Sequence, residues 1–250
     1  MVFSSLLFLT IFLPVTVGLY YLLPKKARNF LLLAVSLVFY AWGEPTHIFV
    51  MLITTAYIWA FGQVVARAME QGKQGVAKFF LILTLVLSLG TLMVFKYTGF
   101  FVSTMPFLEG TALGQLNIAL PIGISFYTFQ LLSYVVDVYR KEVPHQRNFF
   151  WLLLYSSLFH QCIAGPIIRY SDVNEELESR RVTRDDTARG ITRFACGLAK
   201  KAILANGCAA IVADMVEKPA SLASVPAMGI LLAAVCYMLE IYLDFSAYSD

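Results

Sequence analysis

The chain has 250 residues, of which 59% are hydrophobic and 14% charged, with a formal net charge of +3 and a mean hydropathy of +0.71. Soluble domains carry roughly 25% charged residues, and a chain with 14% aromatic residues is no disordered segment. A soluble enzyme, a soluble binding module and a flexible linker are excluded, which leaves a polytopic membrane protein. The small positive balance reads as cytoplasmic-loop bias, not as a nucleic-acid surface.

From Met1 to Pro24 there is no charge. A cleaved leader carries its basic residues before the apolar run. Here Lys25, Lys26 and Arg28 follow it, so a retained first span is expected. Asn29–Trp42, shorter than the about 20 residues that cross a bilayer, reads as a second span. Thr46–Ala66 reads as a third and Phe79–Phe95 as a fourth. Gly110–Val136 is uncharged, with a helix expected from Pro121 onward. Asn148–Ile168 and Pro219–Leu239 bring the total to about seven hydrophobic segments.

Loop charge gives the orientation. Lys25, Lys26 and Arg28 place the first loop in the cytoplasm and the N-terminus outside. Glu44 marks an external loop, Arg67, Lys73 and Lys78 an internal one, and Lys96 and Glu109 flank a weakly biased fourth. Arg140, Lys141 and Arg147 mark an internal fifth. The alternation then fails: if Asn148–Ile168 crossed, Arg169–Lys201, with eight Lys or Arg, would lie outside. His160, Gln161, Gly165 and Pro166 interrupt that segment, and proline removes a backbone donor and clashes with the preceding turn. Broken helices are tolerated at membrane depth only when buried in protein or lining a cavity. The segment is therefore expected to be re-entrant or broken, returning Arg169 to the cytoplasmic side.

Arg169–Lys201 holds 14 of the 35 charged residues. Within it, Thr183 with Asp186 three residues on forms a capping-box-like helix start. Arg189–Ala213 mixes apolar residues with Arg193, Lys200 and Lys201. It reads either as an amphipathic helix pair at the membrane surface or as a solvated cytoplasmic loop. With no repeat, linker or soluble segment, residues 1–250 read as one all-α membrane domain.

Ionisable groups at membrane depth cost roughly 2.5–3.5 kcal/mol on insertion scales, so they direct the search for a site. Tyr127, Gln130, Tyr134 and Asp137 share one helix face at offsets of three, four and three, either as interhelical hydrogen bonds or as a cavity wall. Glu240, Asp244 and Tyr248 share a face at offsets of four, either as a cavity edge or as a helix leaving the membrane. His160 is a candidate base or a packing residue, with Gln161 beside it at the break. Cys162, Cys196, Cys208 and Cys236 form no CxxC pair, and with three scattered histidines they show no zinc or redox spacing, so no metal is expected. There is no GxSxG, P-loop, HExxH or GxGxxG. Gly110 and Gly114 form a GxxxG at the edge of a span.

Stretches along the whole chain resemble the membrane-bound O-acyltransferases (MBOAT), in the bacterial branch that acetylates exopolysaccharides such as alginate. They are Met1-Val2-Phe3-Ser4-Ser5, Phe39-Tyr40-Ala41-Trp42, Phe95-Lys96-Tyr97, and the run from Leu120-Pro121-Ile122-Gly123-Ile124-Ser125-Phe126-Tyr127-Thr128-Phe129. Ser133-Tyr134-Val135-Val136-Asp137-Val138-Tyr139-Arg140 and Ile163-Ala164-Gly165-Pro166-Ile167-Ile168-Arg169-Tyr170 follow. Gly197-Leu198-Ala199-Lys200-Lys201 and Asp244-Phe245-Ser246-Ala247-Tyr248-Ser249-Asp250 complete the set. The resemblance implies a ring of transmembrane helices around a tunnel in the bacterial inner membrane. It implies acetyl-CoA as a cytosolic donor substrate, no bound cofactor, and a periplasmic acetyltransferase partner that receives the acyl group. The family's Arg-Arg-Trp-His and Leu-Trp-His-Gly motifs, which follow the Asp-Phe-Ser stretch, do not occur here. His47, His145 and His160 do not match them.

The chain is thus expected to be an N-terminal half without the catalytic residues, inactive alone. On this reading Tyr127, Gln130, Tyr134, Asp137, His160, Gln161, Asp244 and Tyr248 are candidate tunnel-lining residues. Arg169, Lys200 and Lys201 are candidate contacts for the phosphates of coenzyme A, or expressions of the positive-inside bias. Two rivals remain: a transporter or channel-like protein, since broken helices with polar interruptions also mark transporters, and a non-catalytic membrane partner of a full-length acyltransferase.

Overall fold

The structure, a computed structural model, describes residues 5–104, 119–162, 165–178, 180, 182–217 and 225–250, without the side chain of Glu178. The Gly110/Gly114 pair lies outside the described residues, as do Met1–Ser4, Ile163 and Ala164 of the motifs quoted above. The described residues are helical: a π-helical turn Phe8–Phe12, α1 (Leu13–Leu22), α2 (Lys25–Gly43), α3 (Ile48–Glu70), α4 (Gln74–Thr104), α5 (Ile124–Arg140), α6 (Phe149–Ser157), α7 (Tyr170–Glu178), α8 (Arg184–Ala199), α9 (Asn206–Val212) and α10 (Ala227–Ser249). The protein is an all-α polytopic membrane protein. Among the described residues four helical stretches are long and apolar enough to cross a bilayer, Ile48–Glu70, Gln74–Thr104, Arg184–Val216 and Ala227–Ser249. Contacts divide the chain into two compact units. The first holds Leu13–Ile163 and Ile167–Arg180. The second holds Val2–Phe12, Ala164–Pro166 and Arg181–Asp250.

In the first unit the helix ends follow local chemistry. Glu44, which precedes Pro45, leaves the helical region at φ −141°, ψ 71° and ends α2, because proline disfavours helix in the residue before it. Gly72 takes φ +72°, and Lys73 N–H donates to Ala68 O at 2.8 Å, a glycine cap that stops α3. α4 runs past both Lys78 and Lys96, the lysines that bound the expected Phe79–Phe95 span; Lys96 Nζ lies 5.6 Å from the Tyr97 ring centre. Long lysine stems let a helix continue while the charge reaches outward. α3 packs on α4, α5 and α6, and α2 on α6. Small polar residues Ser36, Thr54, Thr55, Thr84 and Ser88 are buried at these contacts, where they allow close approach and hydrogen bonding between helices.

The segment Asn148–Ile168 is broken, as its residues predict. Asn148 caps α6 by accepting from Phe150 N–H at 2.9 Å, and the helix ends after nine residues. At 1.5 Å per residue this is about 14 Å, against a hydrocarbon core of about 30 Å. Phe159 N–H, which a continuing helix would give to Tyr155 O, donates instead to Ser36 Oγ at 3.2 Å. The orphaned Tyr155 carbonyl accepts from Gln161 Nε2 at 2.8 Å and Gln130 Nε2 at 3.3 Å. Past the break, Ile168 O accepts from Tyr155 Oη at 2.8 Å. Gln146, ahead of α6, donates through Nε2 to Tyr170 Oη at 2.9 Å. Leu177 O accepts from Asn29 Nδ2 at 2.7 Å. The chain after the break thus lies beside the loop before α6 and beside the first turns of α2.

In the second unit the capping box forms: Thr183 Oγ1 accepts from Asp186 N–H at 3.1 Å, and Thr183 N–H donates to Asp186 Oδ2 at 3.0 Å. The helix pair expected over Arg189–Ala213 is a single run instead. α8 continues through the π-helical Lys200–Ala205 into α9 and the π-helical Ala213–Glu217. Gly190, Gly197 and Gly207 do not end it, since glycine weakens a helix interior by only about 1 kcal/mol. α10 packs along this run.

The return of the broken segment is tested with single cysteines. Arg140→Cys and Asp172→Cys, both at exposed positions, are expected to react with an impermeant thiol reagent from the same face of the membrane. Labelling from opposite faces would sink the re-entrant reading.

Candidate functional site

The polar stripe of α5 is buried as a whole: Tyr127, Gln130, Tyr134 and Asp137 are each at most 3% exposed. Tyr134 Oη accepts from Gln146 N–H at 2.8 Å. Its ring meets Tyr170 edge-on at 4.9 Å, and Tyr170 meets Tyr155 at 5.2 Å. Gly62 on α3 faces this ring, so that a Cβ there would sit 3.4 Å from Tyr134 Cε1. Gln130 supports the break through Tyr155 O. Tyr127 lies beside Tyr40, whose hydroxyl donates to Ile122 O at 3.0 Å. Asp137 Oδ2 has no hydrogen bond, and its charged neighbours are Arg169, Glu142 and Arg140. The stripe therefore joins helices to one another and to the broken segment, with Asp137 at its charged end.

A cavity of about 480 Å³ opens on the other side of the break. Of the sequence candidates, His160 and Gln161 line it; the α5 stripe does not. Thr16, Val17, Tyr20 and Tyr21 of α1 form one wall. Val173, Glu176 and Leu177 of α7 form another, with Arg180 just beyond. His160 is exposed at the cavity, stands edge-on to Phe159 at 5.3 Å, and feels the charge of Arg180. Gln161 is 95% buried, its exposure being 5%. Its Oε1 has no hydrogen bond, while Nε2 holds Tyr155 O. Residue patterning missed the α1 and α7 walls because about 150 positions separate them. A signal was present in Tyr20-Tyr21 followed by Lys25, Lys26 and Arg28, an aromatic-then-basic boundary typical of a membrane interface.

In the second unit Lys200 and Lys201 are taken up by α10. Lys201 Nζ donates to Asp244 at 2.7 Å. Lys200 Nζ donates to Ser246 Oγ at 3.1 Å and pairs closely with Asp250, which Arg193 also approaches at 3.7 Å. The Lys200 hydrogen bond, followed by the charges of Lys200 and Arg193, holds the Asp250 carboxyl below the usual carboxylate range. A depressed folded value means that this pair stabilises fully above the ordinary carboxylate range and is lost as pH falls through the folded value. α8 and α10 come close enough that a Cβ on Gly197 would lie 2.6 Å from Ala247 O. Tyr248 closes on Gly165, where a Cβ would lie 2.3 Å from two ring carbons, and Gly165 itself has φ +106°. Arg169, the third candidate phosphate contact, is exposed. Among the described residues no group of three His, Cys, Asp or Glu is placed to hold a metal ion.

No family model matches the chain. It is 37% identical over 255 residues to a Pseudomonas aeruginosa protein named probable alginate O-acetylase AlgI, a match that takes in the whole chain and 48% of that relative. The Azotobacter vinelandii protein of the same name is also 37% identical over 255 residues, with 50% of it covered. A peptidoglycan O-acetyltransferase of Helicobacter pylori is 29% identical over 283 residues, with 52% covered. The resemblance carried by the motifs is borne out: this chain is similar along its whole length to O-acetyltransferases. It spans about half the length of the curated relatives it matches.

Two substitutions test the site's packing. Gly165→Ala combines an unfavourable backbone with a clash against Tyr248, and a loss of about 2–4 kcal/mol is expected, read as earlier thermal unfolding in detergent. Gln130→Leu removes the longer of the two hydrogen bonds to a carbonyl that Gln161 still satisfies, and a loss of about 0.5–1.5 kcal/mol is expected. Wild-type melting of either variant would contradict the assigned contacts.

Proposed function

We propose that this chain is the N-terminal half of a membrane-bound O-acetyltransferase of the MBOAT family. The protein takes an acetyl group from cytosolic acetyl-CoA and moves it across the inner membrane for O-acetylation of an exopolysaccharide such as alginate. A periplasmic acetyltransferase partner receives the group. The observation that carries this reading is the 37% identity to probable alginate O-acetylases over all of this chain. A broken helix whose freed carbonyl is met by buried carboxamides supports it, because irregular backbone at membrane depth is tolerated only where protein satisfies it or a cavity is lined.

Acyl transfer replaces the thioester C–S bond with a C–O bond. The acceptor hydroxyl gives its proton to a base, the thioester carbonyl is polarised, and the thiol of coenzyme A leaves. The base belongs to the part of the protein beyond these 250 residues. The residues present here supply wall and electrostatics. Asp137 and Asp244 are the charged positions assigned to the tunnel. Arg169 is the exposed cation assigned to the phosphates of the donor. Lys200 and Lys201 meet a phosphate only by giving up Asp250 and Asp244, their partners on α10.

The test uses inner-membrane vesicles containing the full-length protein, supplied with acetyl-labelled acetyl-CoA and the acceptor polymer. Label is expected in alkali-labile ester on the polymer. Asp137→Asn and Asp244→Asn are each expected to lower transfer by about tenfold or more at normal expression, the scale of one lost charged contact. Vesicles that accumulate unreacted solute without forming ester would favour a transporter, and unchanged transfer would remove the two aspartates from the tunnel.

A further inference from the structure

The cavity between α1, α7 and the broken segment carries features that acetyl transfer does not use. Glu176 and Arg180 are four residues apart, both line the cavity, and no ion pair joins either one to another described residue. Glu176 lies on the last turn of α7 and Arg180 beyond its end, so the helix does not hold the two charges together. Here both are presented to the same space, an anion beside a cation. Gln161 adds a third demand. Its Oε1 is buried in the cavity wall without a donor, and an unmet buried acceptor costs about 1–3 kcal/mol. A ligand that fits carries a positively charged N–H donor, for Glu176 and Gln161, and a phosphate for Arg180.

The remaining walls are apolar or aromatic: Val17, Leu32, Leu158, Phe159, Ile168 and Val173. The outer side of α1 presents Val15, Leu19 and Leu22, a surface suited to acyl chains. Arg28 stands 4.9 Å from the Tyr20 ring centre and 5.9 Å from that of Tyr21. Tyrosine and arginine together mark the headgroup level of a bilayer. A volume of about 480 Å³ lies within the roughly 300–1,000 Å³ of small-molecule sites.

We propose that this cavity binds the headgroup of an ethanolamine phospholipid. The ammonium lies between Glu176 and Gln161 Oε1, the phosphate against Arg180, and the acyl chains along α1. The site goes beyond acetyl transfer and stands whether or not that reading holds. Its specificity follows from donor chemistry. A choline headgroup has the charge but no N–H for Gln161, and a glycerol headgroup has donors but no charge for Glu176.

The full-length protein is purified in detergent, and its thermal unfolding is followed with added phosphatidylethanolamine, phosphatidylcholine, phosphatidylglycerol or soluble glycerophosphoethanolamine. Phosphatidylethanolamine alone is expected to raise Tm, with an apparent affinity about tenfold or more above the other lipids, the worth of one charge-assisted hydrogen bond. Arg180→Ala, beyond the end of α7, leaves the core intact and is expected to weaken phosphatidylethanolamine binding about tenfold while keeping the lipid-free Tm, and Glu176→Gln, at an exposed position, is expected to abolish the preference for ethanolamine. Gln161→Leu is expected to reduce the choline–ethanolamine difference to near unity. Equal stabilisation by all three lipids, full protection by the soluble headgroup, unchanged phosphatidylethanolamine binding in Arg180→Ala, or an unchanged preference in Glu176→Gln would overturn the proposal.

Discussion

The carbonyl of Tyr155 is the group on which the first unit depends. Ending a helix at membrane depth orphans backbone groups that water would otherwise take, and hydrocarbon offers no replacement. Here the missing i+4 donor goes to Ser36, and two carboxamides, from Gln130 and Gln161, converge on the carbonyl it leaves. One side chain comes from α5 and one from the break itself, so the interruption is satisfied across elements. The Tyr155 hydroxyl then reaches forward to Ile168, and the same residue stabilises both the end of α6 and the chain's return.

This arrangement gives the α5 stripe its meaning. Polar residues at helical spacing in an apolar helix must face protein or water, and residue types alone do not decide between a wall and a joint. In the structure Gln130 and Tyr134 are joints, and Asp137 stands where the joint meets the charges of Arg169, Arg140 and Glu142. In each unit the outer helices carry the reverse chemistry. α4 and α10 present Phe79, Val86, Met93, Leu231, Val235 and Tyr242 outward, apolar side chains that lipid or further protein covers without penalty.

What was legible in the residues was whatever depends on neighbours in sequence. Thr183 with Asp186 specified a capping box that forms as read. His160, Gln161, Gly165 and Pro166 announced an interruption of the apolar segment, and α6 ends ahead of all four, at Ser157. The places that escaped depend on longer distances or on continuity. Lys78 and Lys96 bounded a shorter span than α4 proves to be, since a lysine's stem tolerates an apolar setting that its ammonium does not. The run from Arg184 read as two pieces because polar Lys200 and Lys201 fall in its middle. Their charges are met by α10, which no local window contains. The cavity joins residue 16 to residue 180, and its existence follows only from the fold.

The wide turn at Lys200–Ala205 has a consequence for the lysines it holds. Consecutive residues of an α-helix point about 100° apart. A π-turn accommodates an extra residue within the helix and narrows that angle, and from this stretch the flexible stems of Lys200 and Lys201 reach Asp250 and Asp244. The stretch behaves as a one-residue insertion that the backbone absorbed without breaking. Shortening it by a single residue would restore α-helical winding, rotate everything downstream about the axis, and set α9 against α10 with a different face.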